Sequence, residues 1–471
     1  MKDQMTGNRR IVVGALLAVC LVFGMVQIGF AARHDFNGET VTFFIMEDEF
    51  NRLGAGDSYY AEGPNLSWLL EVEEMFNVKI EFNSANRRNF RQEVMTGMIA
   101  GDPPGDIFWT RQDFMLWLAN QDVLYPLDGI INEEYYQRIP EVYRNKDFYE
   151  FLGTPIAFSS NDIWTREGLP FTTPSGIAWN KDIFAEMGLP DLYELQESGD
   201  WTYEAFIDIA KQATRDTTGD GEIDQWGAAG YRNGLHWHQL LMSMVSNDAT
   251  WVRIDEDGKG TVNITEPEFI DALQFWQDLI NVHGVVPRHG EGVDGGKPNH
   301  GRDIWNIGKL AMLFGDMNAL ADAKNNDTIQ DWGWVYYPKG PNAEDYVAYA
   351  HLFHVASLGH HVENPEALVE LASALFRSAD PYMLHPKEGY LQRGLDQLAR
   401  EGYVNDRDSL ETFRSMYTNM GALPFFREFF ILQDGVANAA EGIREGELYP
   451  LPAMAALQPA IQKALDEYLG Q

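Results

Sequence analysis

Apolar residues fall along this chain in short blocks that alternate between continuous runs and helical spacing. Glu39 to Met46 (ETVTFFIM) is dense in β-branched and aromatic residues and predicts a strand ending in the acidic cluster Glu47, Asp48, Glu49. Pro64 to Phe76 places Leu66, Leu69, Leu70 and Phe76 on one side of a helix, and Val78 to Phe82 predicts a second strand. Phe90 to Ala100 predicts another helix, broken by Gly101-Asp102-Pro103-Pro104-Gly105 before a short strand, Asp106 to Trp109. Strand and helix therefore alternate. That rhythm predicts an α/β fold with a mainly parallel sheet covered by helices, in which ligands bind at the carboxyl ends of strands. The loops after Met46 and Trp109 become site candidates on that ground.

Further along, Ile177, Ala178 and Trp179 predict a buried strand, Asn180 and Asp182 can cap the next helix, and that helix, begun by Ile183 to Met187, stops at Gly188. A second helix start comes at Asp200, which can accept from free backbone N–H groups of the next turn. Glu204 adds negative charge near the positive helix end, and Phe206, Ile209 and Ala210 share one apolar face.

Length and charge narrow the picture. At 471 residues the chain exceeds one compact core and suits two lobes. With 35 basic and 71 acidic side chains, net −36, it is a poor partner for nucleic acid or anionic membrane, while neutral or cationic ligands suit it. Lys2, Arg9 and Arg10 precede an uncharged run from Ile11 to Ala32, the pattern of an export signal. Gly29-Phe30-Ala31 offers a small-x-small cleavage pattern, and the long apolar run also suits a retained anchor, so residues 1–32 are expected to be a signal peptide or N-terminal anchor. The lone Cys20 lies within that run, so removal of the peptide leaves no disulfide or thiol chemistry. An exported protein is expected, in the periplasm or on the outer face of the cytoplasmic membrane.

Several segments, in order, carry a family likeness. They are SGIAWNKDIFAEMGL (175–189) with DWTYEAFIDIAKQAT (200–214); the 106–109 strand leading to LANQDVLYPLD (118–128); Gly153-Thr154-Pro155-Ile156; Gly308-Lys309-Leu310-Ala311-Met312; and Tyr337-Pro338-Lys339-Gly340-Pro341. This order across nearly the whole chain resembles the extracellular solute-binding proteins of ABC importers, the sugar-binding group that includes maltose-binding protein. The resemblance implies a two-lobed, periplasmic-binding-protein-like fold with discontinuous lobes and a hinge-lined cleft. It places 35–152 plus 351–392 in the first lobe and 153–350 plus 393–471 in the second. It also implies a monomer that binds a small solute, most simply a sugar, and delivers it unchanged to membrane permease subunits.

Sugar sites need aromatic faces for the apolar patch of a pyranose and carboxylates or amides for its hydroxyls. The chain has 13 tryptophans and 20 tyrosines. Trp109 closes a predicted strand before Thr110-Arg111-Gln112-Asp113, and the resemblance carries sugar-contacting roles to Trp109 and Asp113, with Gln112 as the alternate. It likewise implies roles for Glu47 and Asp48, for Trp237 at a loop-to-helix corner, for Asp316 and Asn318 after Gly315, and for Phe426 and Glu428 in a proline-led loop. The competing roles are core packing for Trp109 and the phenylalanines, helix capping for Asp316, and a solvated turn for Glu47 and Asp48.

Metal chemistry has one sharp candidate. In Asp216-Thr217-Thr218-Gly219-Asp220-Gly221-Glu222-Ile223-Asp224, the side chains of Asp216, Thr218, Asp220 and Asp224 and the carbonyl of Glu222 match the oxygen spacing of a calcium loop. Gly227 stands where the bidentate glutamate would be, so a structural calcium and a plain polar turn both fit. No other cofactor is required. His236 and His238, and His360-His361 with Glu363, give too few ligands for a closed zinc site. A cationic solute such as a polyamine is the alternative ligand. A secreted glycoside hydrolase is the alternative activity, needing two carboxyl groups about 5 to 9 Å apart; nucleophile-elbow, zincin and Walker motifs do not occur.

Overall fold

The computed structural model describes residues 34–46, 63–86, 88–151, 153–160, 174–230, 237–255, 259–288, 301–315, 317–349, 354–376, 389–421 and 434–468. Two separate sheets organise them. The first has the strand order Lys79–Ala85, Thr40–Met46, Ile107–Arg111, His354–Leu358, Phe158–Ser159. Its first three strands are parallel, with Phe43 opposite both Phe82 and Ile107, so the ladder runs in one register through the βαβ units that the apolar pattern predicts. Strands Thr40–Met46 and Ile107–Arg111 are buried almost throughout, as expected when helices cover both faces. Helix Phe90–Ala100 ends at Gly101, whose left-handed φ of 72° lets the chain turn back into the next strand. Strand His354–Leu358 enters antiparallel from far along the chain, and helix Pro365–Phe376 returns over it; Phe43 meets Phe376 edge-on at 5.8 Å.

The second sheet runs Trp332–Val335, Gly176–Asn180, Leu310–Gly315, Trp226–Gly230. Leu310–Gly315 is parallel to Trp226–Gly230 and antiparallel to Gly176–Asn180, which in turn is antiparallel to Trp332–Val335. It is thus a mixed sheet, as is the first once His354–Leu358 joins its three parallel strands. The Asn180 side chain caps helix Lys181–Met187 as the sequence predicts, accepting from the N–H groups of Asp182 and Ile183, whereas Asp182 reaches across to the N–H of Gln330 at 2.9 Å. The next cap differs from expectation. Thr202, not Asp200, caps helix Tyr203–Ala213, because the backbone becomes extended at Thr202 and aims its hydroxyl at the Ala205 N–H; Asp200 instead accepts from Ser198 Oγ at 2.8 Å. A short helix, Leu192–Ser198, fills the stretch that reads from sequence as a simple break.

Helix Tyr203–Ala213 lies so close to its sheet that a Cβ at Gly227 would stand 2.1 Å from the Ala210 carbonyl oxygen; only glycine permits that approach. Above it Tyr203 stacks on Phe275 at 3.9 Å, and Phe206 and Trp276 close over Phe314. Trp305 is fully buried, in keeping with a packing role.

The chain leaves the first sheet for the second between Phe158–Ser159 and Gly176–Asn180, and returns between Trp332–Val335 and His354–Leu358. Before leaving, it makes the hairpin of Glu150–Phe151 with Thr154–Pro155 and supplies Phe158–Ser159 as an edge strand of the first sheet. On the return, Ala348–Tyr349 pairs with Met420–Gly421 just before His354–Leu358 joins the first sheet. Helix Arg407–Thr418 is fixed along the open edge of the second sheet, where Trp334 N–H donates to Ser409 Oγ at 3.0 Å.

Candidate functional site

The parallel strands of each sheet converge on one end. In the first sheet Thr40–Met46 and Ile107–Arg111 finish together, since Ile45 pairs with Trp109. In the second, Trp226–Gly230 and Leu310–Gly315 finish together, since Gly230 pairs with Phe314. These four carboxyl ends are where an α/β sheet offers a ligand backbone and short polar side chains. Segment 47–62 leaves from the first end, 231–236 from the third, and residue 316 from the fourth.

Most of the sequence-derived ligand candidates leave from these ends. Glu47, Asp48, Asp316, Phe426 and Glu428 lie outside the described residues. Asp113, Trp237 and Asn318 fall in helices Gln112–Asn120, Trp237–Val245 and Met317–Lys324, each the first helix after one of these strands, with their side chains outside the description. Two candidates can be read in full. Trp109 is 4% exposed, its indole N–H donates to Ser160 Oγ at 3.1 Å, and its ring lies 4.7 Å from that of Phe376. It is packed at the strand end. Gln112 is also buried, and its side-chain N–H donates to the Asp147 carbonyl at 2.8 Å, tying the strand end to the segment that leads into the first passage between sheets.

Two neighbours escape the sequence reading. Arg111 is 2% exposed at the end of its strand, its guanidinium 5.3 Å from the Phe114 ring centre, so a buried positive charge sits at this end of a strongly acidic protein. Ser160 receives the Trp109 indole. A lone arginine after an apolar strand was the available signal for the first, and nothing local marks the second.

Close glycine contacts shape the other pair of strand ends. A Cβ at Gly301 would meet the Gly230 carbonyl at 2.2 Å, and one at Gly315 would meet Ala319 Cβ at 2.4 Å, so helices Gly301–Asn306 and Met317–Lys324 begin hard against the sheet. Their first turns thus face the same end as the strands.

The acidic 216–224 loop lies in the connection from helix Tyr203–Ala213 to strand Trp226–Gly230, at the strand's amino end and away from the convergent strand ends. Asp216 folds the loop around itself: Oδ1 accepts from the N–H groups of Thr218 and Gly219, and Oδ2 from that of Gly221 at 2.7 Å. Those N–H groups, Gly221 first, hold its carboxyl below the usual carboxylate range. Asp224 accepts from the backbone and hydroxyl of Thr217 and pairs with Lys309 at 3.3 Å, and the Thr217 hydroxyl is the first cause of its own lowered value. Asp220 accepts from the Glu222 N–H at 2.9 Å, and Thr218 Oγ1 donates to Asp216. Among the described residues no group of three or more His, Cys, Asp or Glu side chains converges as a metal cage. No described helix is long and apolar enough to cross a membrane.

Comparison with known proteins bears on the whole fold. No curated protein matches the chain. Among solved structures it is similar to a cyclo/maltodextrin-binding protein complexed with maltotetraose, at 13% identity and TM-score 0.62, covering 91% of this chain and 97% of that one. It is similar to an ABC substrate-binding protein from Listeria monocytogenes in complex with cycloalternan, at 15% identity and TM-score 0.59, covering 91% and 99%. A cyclic α-maltosyl-1,6-maltose binding protein from Arthrobacter globiformis is matched at 15% identity and TM-score 0.60, again over 91% and 99%. These likenesses establish the two-lobed binding-protein fold. The family model described as bacterial extracellular solute-binding protein matches residues 66–366, and the chain belongs to that family.

Proposed function

We propose that this protein captures a mono- or oligosaccharide between its lobes, outside the cytoplasmic membrane, and hands it chemically unchanged to the permease of an ABC transporter. The observation that carries the reading is the match to the solute-binding family over residues 66–366, on a fold shared with proteins solved with maltotetraose and cycloalternan. The carboxyl ends of the parallel strands in each sheet support this location. Glu47, Asp48, Gln112, Asp113, Asp316, Asn318 and Glu428 would serve the sugar hydroxyls and Trp237 and Phe426 its apolar faces, while Trp109, buried against Phe376, would reach the sugar only if that packing opened. Export rests on Lys2, Arg9 and Arg10 ahead of the uncharged run to Ala32, and the protein acts as a monomer. A thermal-shift screen over sugars, polyamines and peptides tests the reading. A sugar present at a hundred times its dissociation constant should add roughly 2.7 kcal/mol of stability. Stabilisation by a polyamine alone would overturn it in favour of the cationic ligand that the net charge of −36 also suits.

A structural calcium in the 216–224 loop is a separate proposal. The alternation of oxygen side chains at Asp216, Thr218, Asp220 and Asp224 supports it, with the Glu222 carbonyl between the last two. Calcium would have to displace Lys309 from Asp224, so its binding should weaken that pair. Millimolar calcium is expected to raise the melting temperature, chelator to reverse the rise, and Asp216→Asn to abolish it. A melting temperature indifferent to calcium would leave the loop as a self-capped turn.

A further inference from the structure

A pocket of about 120 Å³ opens between helices Glu133–Arg138 and Pro365–Phe376, on the flank of the first sheet. It shares no residue with the strand-end site. Its lining includes Asn132, Glu134, Arg138, Glu366, Glu370 and Ser373.

Arg138 is the unusual member. It is half-buried, its Nε is sealed from solvent without a hydrogen-bond partner, and its close neighbour is the Tyr135 ring, 5.9 Å from the guanidinium carbon. Glu134 stands four residues earlier on the same helix, the spacing that favours an ion pair, yet among the described residues no carboxylate comes within ion-pair distance of Arg138. In a chain carrying 71 acidic side chains that isolation is conspicuous. Opposite, Ser373 is 3% exposed and its hydroxyl is likewise sealed, near the Tyr135 phenol but without a hydrogen bond of good geometry. A half-buried guanidinium without a carboxylate partner is one that a ligand bearing a carboxylate would satisfy. Glu370 is already engaged, its Oε2 2.5 Å from His34 Nδ1, whereas Glu134 and Glu366 stand exposed at the rim.

These charges select the occupant. A simple anion would meet Arg138 but also the rim carboxylates; a simple cation would meet the carboxylates but also Arg138. A zwitterion satisfies both. The volume is below that of ordinary drug-sized pockets and limits the occupant to a few heavy atoms. We infer that this pocket binds a small amino-acid zwitterion, its carboxylate held by the Arg138 guanidinium, its ammonium by Glu366 and Glu134.

Isothermal titration of the full chain with glycine, alanine, acetate and methylamine at pH 7 tests the assignment. Glycine or alanine should bind saturably, with acetate and methylamine at least tenfold weaker. Arg138→Gln should weaken the amino acid at least tenfold. Glu366→Gln, at an exposed position that leaves the core untouched, should weaken it several-fold and decides the matter if Arg138→Gln fails to fold by circular dichroism. Absence of amino-acid binding, acetate binding as tightly as glycine, or amino-acid binding unaltered in folded variants would each overturn the inference.

Discussion

Alanine in place of Trp201 is expected to destabilise the second lobe by about 4 kcal/mol, the upper range for deleting a large aromatic from a packed core. Trp201 is fully buried, its ring 5.7 Å from Phe206, and its indole N–H donates to the Tyr336 carbonyl at 2.8 Å. Its backbone N–H is also engaged, with the Leu195 carbonyl and the Tyr346 hydroxyl. Alanine therefore leaves a cavity and an unsatisfied buried carbonyl together. Trp201→Phe separates the two effects: most of the volume stays, and the loss should fall to about 1.5 kcal/mol. Scanning calorimetry is the suitable readout, because a two-lobed chain need not unfold in one step. The unfolding transition assigned to the second lobe should move while the first stays in place. A cost under about 1 kcal/mol for alanine would contradict this packing.

Asp406→Ala is expected to cost about 3 kcal/mol, through the loss of a mostly buried ionic network. Lys181 and Asp406 form an ion pair with side chains only 18% and 20% exposed. Asp406 also accepts from the Tyr193 hydroxyl at 2.9 Å and caps helix Arg407–Thr418 through the Ser409 N–H at 2.6 Å. Lys181 lies 4.9 Å from the Tyr193 ring centre, and the Tyr193 hydroxyl is 2.7 Å from Ser409 Oγ. The column continues along the same helix face. Gln196 bridges Thr412 and the Tyr336 N–H, and the Tyr336 hydroxyl donates to Ser415. Trp332–Val335 is the edge strand of the second sheet, so these side chains occupy N–H groups that would otherwise invite pairing with another chain. Losing Asp406 should therefore both destabilise and promote self-association. A double-mutant cycle with Lys181→Met should give a coupling energy above about 1 kcal/mol, whereas strict additivity would show that the pair adds nothing beyond exposed charges.

The parts of the fold legible in the sequence are those set by local chemistry. Strand Thr40–Met46 and the Asn180 cap arise from runs of β-branched and aromatic residues and from a side chain that can reach the next N–H groups. Helix Phe90–Ala100 is bounded as its pattern predicts because Gly101 accepts a left-handed backbone. Thr202 and Asp200 could both cap; only the direction of the backbone at Thr202 separates them. Helix Leu192–Ser198 leaves little trace in the pattern because it is brief, with only Leu192 fully buried. The mixed direction of the second sheet depends on where the chain returns between lobes, which no local pattern records.

The site was legible as a set of strand ends more than as a set of contacts. An aromatic at a strand end reads equally as a sugar platform or as core. Trp109 is packed because Phe376, contributed by a distant helix, comes to lie against it. The 216–224 loop has the same ambiguity, since the spacing that places oxygens around calcium also lets Asp216 accept from its own loop. Arg138 illustrates the reverse case: its isolation emerges only once the fold has placed the described carboxylates elsewhere.

The central claim is capture without chemistry. Titrating the purified protein with a panel of mono- and oligosaccharides that includes maltotetraose, followed by chromatography of the recovered sugar, tests it most directly. The account predicts saturable one-site binding of a sugar with a change in tryptophan fluorescence, and recovery of that sugar intact. Release of shortened sugars, or no binding of any sugar in the panel, would contradict it.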